Sequence, residues 1–230
     1  MSLYFTLHLI TISFPLVRSF EYRVKYYKKW APLFLAIGIT AAFFIAWDVI
    51  FTHLGVWGFN AKYLSGLYLI NLPVEEWLFF VTVPFASIFI YENVVYFLPK
   101  GFRWEIARNI FIALAACLLI VAGLNWDRYY TFYNLLGTAL LLLYVSLYLK
   151  PKYLSHFLIA YLFVLIPFFG VNGILTGSFI DEPVVWYNDA ENLGIRLGTI
   201  PIEDTMYGLF LLLMNVSLYE HFKSKLTIGK

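Results

Sequence analysis

At 230 residues the chain is long enough for one domain or a tight pair, yet 62% of it is hydrophobic, 21% aromatic and only 13% charged. Soluble domains are roughly half apolar and about a quarter charged, so this composition excludes an ordinary soluble fold and favours a membrane protein. The net charge of +2 gives no reason to expect a nucleic-acid partner, and the single cysteine, Cys117, excludes an internal disulfide and a cysteine-based zinc site.

Seven apolar stretches are each about long enough to cross the ~30 Å hydrocarbon core of a bilayer. The first resembles a signal-peptide core, but it lacks a basic n-region and a small-x-small cleavage site, so we interpret it as a retained helix. The predicted spans are 3–18, 31–53, 73–97, 106–124, 131–149, 154–176 and 200–222. The sequence therefore predicts an all-α integral membrane protein of about seven transmembrane helices.

Lysine and arginine are distributed unevenly between the two sides of these spans. Of the 16 basic residues, one set of loops carries only Lys62, Arg128 and Arg196, and the remaining 13 lie in the other loops and at the C-terminus. The basic side is usually cytoplasmic. We expect a multi-pass protein of the cell membrane with its N-terminus outside and its C-terminus, including Lys230, in the cytoplasm.

The third span begins with a proline followed closely by two acids. Pro73 suits the first turn of a helix, and Glu75 and Glu76 would then lie where the helix dipole favours negative charge. On that interpretation the motif stabilises the start of a helix and has no chemical function. Carboxylates that enter an apolar region are costly and usually functional, however, and an apolar run from Trp77 to Phe80 follows at once. We therefore favour a functional role.

The last span repeats this arrangement at an offset of 128 residues, with Pro201, Glu203 and Asp204. Further matches at the same offset are Gly66 with Gly194, and Tyr91-Glu92 with Tyr219-Glu220. In the second and sixth spans Asp48 matches Asn172 at an offset of 124, so the second copy carries about four extra loop residues. The sequence thus predicts a first repeat over 1–100, a linker helix over 101–128 and a second repeat over 129–230.

Three helices followed by one linker helix return the chain to its starting side, so the two repeats run parallel about an axis along the membrane normal. Both acidic motifs then lie at the same face and can converge on one site. Converging carboxyls provide a protonated acid beside an ionised one, which is a ready general acid and base.

Other polar and aromatic residues have two interpretations each. Asp48 is either a third carboxyl of the site or a hydrogen-bonded residue between helices, and Asn172 marks the same polar position in the second copy. The loop 187–192 is either a lid or a solvated loop. Aromatic residues near the motifs could face a cation through their rings; these are Trp57, Trp77, Phe80, Trp186 and Tyr207.

Two further sets of residues are expected to have no part in the chemistry. Glu92 and Glu220 lie at the basic side, where pairing with nearby lysine or arginine explains them. The histidines lie near predicted helix ends or in loops, and we interpret them as interfacial rather than catalytic or metal-binding. They are His8, His53, His156 and His221.

These motifs resemble those of the lycopene cyclase domain family, small membrane cyclases that occur as heterodimers in some bacteria and as one fused chain in others. The resemblance rests on the segment Leu72-Pro73-Val74-Glu75-Glu76 and its copy Ile200-Pro201-Ile202-Glu203-Asp204, and it covers nearly the whole chain. It implies redox-neutral cyclisation of the ψ-ends of lycopene to β-rings, giving γ-carotene and β-carotene, in an isomerase or intramolecular lyase reaction.

The chemistry implied by the resemblance agrees with the residues. Glu75 and Glu203 would be the central acid and base, and Glu76 and Asp204 would support or share that catalytic role. The substrate would be bound by Asp48, Asn172, Trp77, Phe80 and Tyr207. The chain lacks the Gly-x-Gly-x-x-Gly signature of flavin-dependent cyclases, so no cofactor is expected. The expected partners are an acyclic carotenoid and the lipid bilayer, with a second copy of the chain or other pathway enzymes left open.

A membrane transporter or proton channel is the alternative, because intramembrane carboxylates and parallel repeats suit it too. A retinal-binding protein is disfavoured, because the last span has no lysine for a Schiff base.

Overall fold

The structure, a computed structural model, describes residues 2–228, so Lys230 of the predicted cytoplasmic set lies outside it. In the described range seven α-helices follow the predicted spans, and five of them are long and apolar enough to cross a membrane. The helices are α1 (Leu3–Arg18), α2 (Trp30–His53), α3 (Val74–Phe97), α4 (Trp104–Leu124), α5 (Tyr129–Leu143, continued by a π-helical stretch, Tyr144–Leu149), α6 (Leu154–Leu175) and α7 (Ile202–Ile228). The prediction of an all-α membrane protein is confirmed, although α1 is shorter than the five long spans and α7 is not one of them.

Short strands and one 3-10 turn, Ala61–Tyr63, connect the helices at the end that carries the acidic motifs. The strands are β1 (Trp57–Phe59), β2 (Tyr68–Leu69), β3 (Leu72–Pro73), β4 (Val185–Tyr187), β5 (Arg196–Leu197) and β6 (Ile200–Pro201). A second 3-10 turn, Tyr26–Lys29, precedes α2 at the opposite end, where Lys29 pairs with Glu92. Two antiparallel hairpins, β2–β3 and β5–β6, lead directly into α3 and α7.

Pro73 and Pro201 end these hairpins instead of beginning the helices. Pro73 is extended, with φ −64° and ψ 149°, and α3 starts at the next residue. It pairs with Tyr68 in the hairpin, as Pro201 pairs with Arg196 in the other copy. The prediction that the prolines occupy the first helical turn is therefore wrong by one position, because strand pairing holds them extended. The acids still lie in the first turns of both helices.

The strand pair β1–β4 joins the two halves of the chain symmetrically. Gly58 faces Trp186 at the centre of the pair, and these residues are 128 positions apart. The flanking bonds are reciprocal, since the amide of Asn60 donates to Val184 O (2.8 Å) and the amide of Asn188 donates to Val56 O (2.9 Å). Reciprocal contacts of this kind are what a two-fold axis between equivalent segments requires.

The helices of the two halves interleave to form one core. α2 packs against α7 and α3 packs against α6, while α4 packs against α5 and α6. Fully buried alanines allow the helix backbones to approach closely, as in other membrane bundles. They include Ala36, Ala107, Ala115 and Ala139. This interleaving brings the first turns of α3 and α7, and with them both acidic motifs, into one region.

Candidate active site

The first acid of each motif fastens neighbouring segments to its helix. Glu75 is fully buried, and its Oε1 accepts bonds from Ser2 Oγ and from the amide of Ser65, both at 2.7 Å. Glu203 is 1% exposed, and its Oε1 accepts bonds of 2.7 Å from Thr131 Oγ1 and from the amide of Leu193. Each of these glutamates therefore ties a helix start and a loop to the first turn of α3 or α7.

The second acid of the first motif lies beside another carboxyl. Tyr4 Oη donates to Glu76 Oε2 at 2.7 Å, and the buried carboxyl of Asp48 is an electrostatic neighbour of Glu76. Two buried carboxylates that are close together repel each other, so a proton on one of them is favoured. This corner of the site is therefore suited to hold an exchangeable proton.

The second acid of the other motif is surrounded by donors. Asp204 Oδ1 accepts from Tyr130 Oη at 2.5 Å, and Oδ2 accepts from Asn172 Nδ2 at 2.8 Å and from Tyr187 Oη at 3.0 Å. Asn172 occupies the position equivalent to Asp48, so an amide donor replaces the carboxyl. Tyr187, the other donor to Oδ2, replaces Phe59 of the first copy at the offset of 128. Asp204 therefore accepts from two donors, Asn172 and Tyr187, that have no counterpart at Glu76.

Both second acids line a single cavity of about 340 Å³. Its walls are mainly apolar side chains of α1, α3, α6 and α7, with Trp57 and Phe59 of β1 and Val185 of β4. Most of its polar lining residues gather around the two motifs, whereas Thr11, Ser87 and Tyr161 line other parts of the wall. The residues near the motifs are Tyr4, Asp48, Glu76, Tyr130, Asn172, Tyr187, Asp204 and Tyr207. No lysine or arginine is among the described residues that line it, so the carboxyls face one another and hydroxyl or amide groups without a basic partner.

The predicted site residues are only partly brought together at this cavity. Asp48, Glu76, Asn172, Asp204 and Tyr207 line it. The others do not; they are Glu75, Glu203, Trp77 and Phe80.

Two aromatic residues predicted to bind substrate lie away from the lining. The Trp77 indole donates to Leu69 O at 3.3 Å, which fastens it to the hairpin. Phe80 is buried and stacks on Phe44, with ring centroids 6.2 Å apart, and its neighbour Phe79 lines the cavity instead. The rotation of the helix decides between neighbours, since successive residues point in different directions.

The loop 187–192 is an ordered cover over the acids. Tyr187 lines the cavity, and Glu191 O accepts a bond from the amide of Tyr130 at 2.9 Å. On the outer side Asp189 is paired with Arg196 Nη2 at 2.6 Å. That hydrogen bond lowers the pKa of Asp189 below its ordinary value. Both interpretations of the loop are thus partly right: one face covers the site and the other is exposed.

His8 lies inside the protein and not at an interface. It is 5% exposed, and its ring nitrogens contact Thr82 Oγ1 at 2.9 Å and Glu75 O at 2.8 Å. The prediction that it is interfacial is wrong, because α1 packs this face against α3. Asn134 Nδ2 makes the corresponding bond to Glu203 O at 2.8 Å. Within residues 2–228 no group of histidine, cysteine, aspartate and glutamate side chains could hold a metal ion.

Sequence reasoning missed the three tyrosines that bond to the second acids. Tyr4 and His8 are four residues apart on α1. Tyr130 and Asn134 hold the matching positions on α5, at an offset of 126. That recurrence at helical spacing was a signal for the repeat in α1 and α5. Tyr187 carries no such signal, since the strand pair β1–β4 places it.

The family model described as lycopene cyclase matches residues 1–94 and 127–222. These two segments contain all the carboxyls of the site and make up most of the chain. The chain belongs to the lycopene cyclase family. It is therefore a carotenoid cyclase in general terms, with a carotenoid substrate and a membrane environment. No curated protein and no solved structure matches the chain significantly.

Proposed function

We propose that the chain cyclises the ψ-ends of lycopene to β-rings, giving γ-carotene and then β-carotene, by redox-neutral acid–base catalysis. The observation that carries this proposal is the asymmetric acid pair in the apolar cavity. Glu76 lines the cavity beside a second carboxyl, Asp48, whereas Asp204 accepts from an amide at the equivalent position, Asn172. One fold thereby presents both a proton donor and a proton acceptor to the same ligand.

The proton donor is the Asp48–Glu76 pair. In this scheme the pair holds one proton, and so one negative charge, inside a cavity that has no basic residue among its described lining. Transfer of that proton to the terminal double bond of the polyene leaves two negative charges on the pair and one positive charge on the substrate, and the Tyr4 hydroxyl stabilises the Glu76 carboxylate by donating to it. A positioned acid of this kind contributes about 10²–10⁴-fold to a rate.

The ring forms by electron movement within the substrate. Protonation of the terminal alkene leaves a carbocation, and the electron pair of an internal alkene forms the ring bond and moves the positive charge to the ring. Loss of one proton from a neighbouring carbon then restores a double bond. One proton is added and one is removed, so no atom is gained and no oxidant is required, and the reaction is an isomerisation.

Asp204 is the base in this scheme. Tyr130, Asn172 and Tyr187 all donate to it, so it is present as an acceptor when the ring cation forms. Trp57 and Tyr207 line the same cavity and can stabilise the cation through their rings. The apolar walls keep water from capturing the cation.

This proposal assigns the acid and base roles to the second acid of each motif instead of the first. Glu75 and Glu203 were predicted as the reacting acids, and no observation tests that role directly. Their positions favour a supporting part, since both lie outside the cavity lining and fasten Ser2, Ser65, Thr131 and Leu193. Glu76 and Asp204 are better placed to touch the substrate.

The division into repeats and the orientation remain part of the proposal. A first repeat over 1–100, a linker helix over 101–128 and a second repeat over 129–230 agree with the reciprocal bonds of β1 and β4. The uneven distribution of basic residues favours a protein of the cell membrane with its N-terminus outside and its C-terminus in the cytoplasm.

The test is carotenoid chromatography on a lycopene-accumulating bacterial host that expresses the parent chain or one of four variants. We expect cyclic products from the parent and a loss of roughly 100-fold or more in Glu76→Gln and Asp204→Asn at equal membrane expression. Glu75→Gln and Glu203→Gln should lose protein or stability and keep more turnover per folded molecule. The reverse order of effects would restore the first acids as the catalytic pair. Unchanged lycopene with well-expressed parent would favour another acyclic carotenoid, and then the transporter alternative.

A further inference from the structure

The cavity extends from the acids along one side of the bundle only. Glu76 and Ile90 both line it and are 14 residues apart on α3, so the cavity follows the helix for about 21 Å. Ile10 and Phe14 of α1 and Pro167 of α6 line its wall and are also exposed at the outer surface. The cavity is therefore a groove that opens towards the bilayer between α1 and α6, and we call it the open groove.

The two-fold relation between the halves predicts a second groove between α5 and α2. That position is filled by a cluster of side chains that includes Phe44, Phe80 and Phe210. Three small or medium residues of the open groove correspond, at the offsets of 128 and 124, to three larger ones in the filled position. The pairs are Gly208 and Phe80, Ala86 and Met214, and Val171 and Trp47.

The larger member of each pair belongs to the filling cluster. Phe80 is 1% exposed, and Trp47 and Met214 pack against it and its neighbours. In the open groove the smaller members leave space instead. A Cβ added at Gly208 would meet Tyr161 Oη at 3.8 Å and Phe168 Cε2 at 4.0 Å, and both of these residues line the groove. A longer side chain at this position would therefore extend into the groove.

We propose that one ψ-end of the polyene reaches the acids through the open groove alone, and that Gly208 and Ala86 are the residues that keep this groove open. The inference rests on the proposed function for the identity of the ligand. At about 340 Å³ the cavity is at the lower end of ligand pockets, which are ~300–1,000 Å³, so it holds one end of a long polyene. The rest of the molecule lies in the lipid.

A single groove has a consequence for the order of the reaction. The acids at the axis can receive only one polyene end at a time, because the equivalent approach is closed by Phe80 and Trp47. The half-cyclised product must leave and return with its other end first. A transient monocyclic carotenoid is therefore expected during turnover.

The experiment copies the residues of the filled side into the open groove. Gly208→Phe and Ala86→Met are compared with the parent, with Gly208→Ala and with Gly38→Phe. Gly38 is a matched control, since it is exposed on α2 and an added Cβ there would meet nothing within 4 Å. Each protein is purified from a lycopene-accumulating host, and both the carotenoid bound per chain and the cyclic product formed are measured.

We expect Gly208→Phe to lose roughly tenfold or more of both bound carotenoid and product, which corresponds to about 1.4 kcal/mol of binding. Ala86→Met, on the opposite wall, should lose severalfold of both quantities. Gly208→Ala should lose less than Gly208→Phe, because its Cβ would only reach ordinary contact distance, 3.8 Å from Tyr161 Oη. Gly38→Phe should keep both. Parent-like carotenoid content and product in folded Gly208→Phe would overturn the inference. If that variant does not accumulate, unchanged binding in Ala86→Met overturns it. Loss of bound carotenoid in the groove variants, with no cyclic product from the parent, would support the groove and contradict the proposed function.

Discussion

Two groups of buried carboxyls lie at opposite ends of α3 and α7, and they are neutralised in different ways. Away from the acidic motifs, Glu92 is 1% exposed and forms ion pairs with Lys29 and with Lys223, the latter at 2.6 Å. Lys223 also pairs with Glu220 at 3.0 Å. We call these four residues the lysine-paired cluster. The prediction that Glu92 and Glu220 pair with basic residues is confirmed.

Tyrosines connect the lysine-paired cluster across the two halves of the chain. Tyr91 Oη donates to Glu220 Oε1 at 3.0 Å, and Tyr219 Oη donates to Glu92 Oε1 at 2.6 Å. These bonds are reciprocal at the offset of 128, as are those of the strand pair at the other end. The same symmetry therefore fastens both ends of the bundle.

At the acidic motifs the carboxyls have hydroxyl, amide and carboxyl partners in place of lysine. A carboxylate beside a lysine is held as a fixed charge, because losing that charge would leave the partly buried ammonium uncompensated. A carboxyl beside another carboxyl can hold or release a proton without leaving such a charge. The difference between the two ends teaches that burial alone does not mark a reacting acid. The acids that we expect to react are buried, lack a basic partner and also line the apolar cavity.

Asp48→Asn should have the largest effect, because it gives the first copy the amide that the second copy already has. Glu76 would then accept from an amide, as Asp204 accepts from Asn172, and the shared proton would be lost. We expect turnover to fall roughly 100-fold or more with the fold retained. The measurement is cyclic product per folded molecule, with Glu220→Gln in the lysine-paired cluster as the control. Near-parent turnover in Asp48→Asn would show that Glu76 donates without its partner.

Glu92→Gln should affect stability and not chemistry. It removes the carboxylate shared by Lys29 and Lys223, and breaking a buried pair costs ~3–5 kcal/mol. Because both lysine side chains are 28% exposed, we expect the lower end, about 3 kcal/mol. Thermal unfolding in detergent measures this loss, and turnover per folded molecule should remain that of the parent. Lost turnover at parent stability would mean that the two ends are coupled chemically.

The fold was predictable from the sequence because it depends on local apolar stretches and on a motif that occurs twice. The length of the apolar stretches sets the helices, and the recurrence of Pro73 and its acids at Pro201 predicts that two motifs meet at one face. Both predictions depend on spacing along the chain, which a sequence contains directly. The four extra residues of the second copy also appear in the structure, where Val56 N bonds to Phe51 O but Val184 N bonds to Leu175 O.

The roles of adjacent acids were not predictable in the same way. Glu75 and Glu76 are neighbours on one helical turn, and the packing of α1 and of the hairpin decides which of them faces the cavity. The bond from Ser2 holds Glu75 away from the cavity, and Tyr4 meets Glu76 on the cavity side. Such contacts come from residues more than 70 positions away, so no local pattern reveals them.

Gly58→Val tests whether the strand pair over the acids keeps water out. A Cβ at this position would lie 2.3 Å from Trp186 Cζ2, so the indole must move. Overpacking of this kind typically costs about 1–3 kcal/mol, and we expect the lower half of that range because Trp186 is 43% exposed and can shift. The looser cover should let water capture part of the ring cation, so we expect a hydroxylated side product in the chromatogram.

The matched control for this change is Gly55→Ala, where the added Cβ meets nothing within 4 Å but the backbone φ of +70° is unfavourable. It should cost stability without producing the hydroxylated compound. The same side product from both variants would mean that general loosening, and not the cover itself, admits water.

Arg196→Gln should have the smallest effect, because it breaks a pair that solvent largely screens. The Asp189 side chain is 61% exposed, and exposed pairs contribute only ~0–1 kcal/mol. The hydrogen bond from Arg196 lowers the pKa of Asp189, so its contribution is present above the ordinary pKa of an aspartate and is lost as the pH falls through the lowered value. Parent and variant should therefore differ slightly in unfolding temperature at neutral pH and converge in acid.

The control variant is Asp189→Asn, which keeps Arg196 and its bond to Thr199 O (2.9 Å). If the ion pair alone accounts for the effect, Asp189→Asn and Arg196→Gln should lose the same stability. A difference that persisted in acid would assign the effect to the bond with Thr199, and thus to the hairpin that positions Glu203 and Asp204.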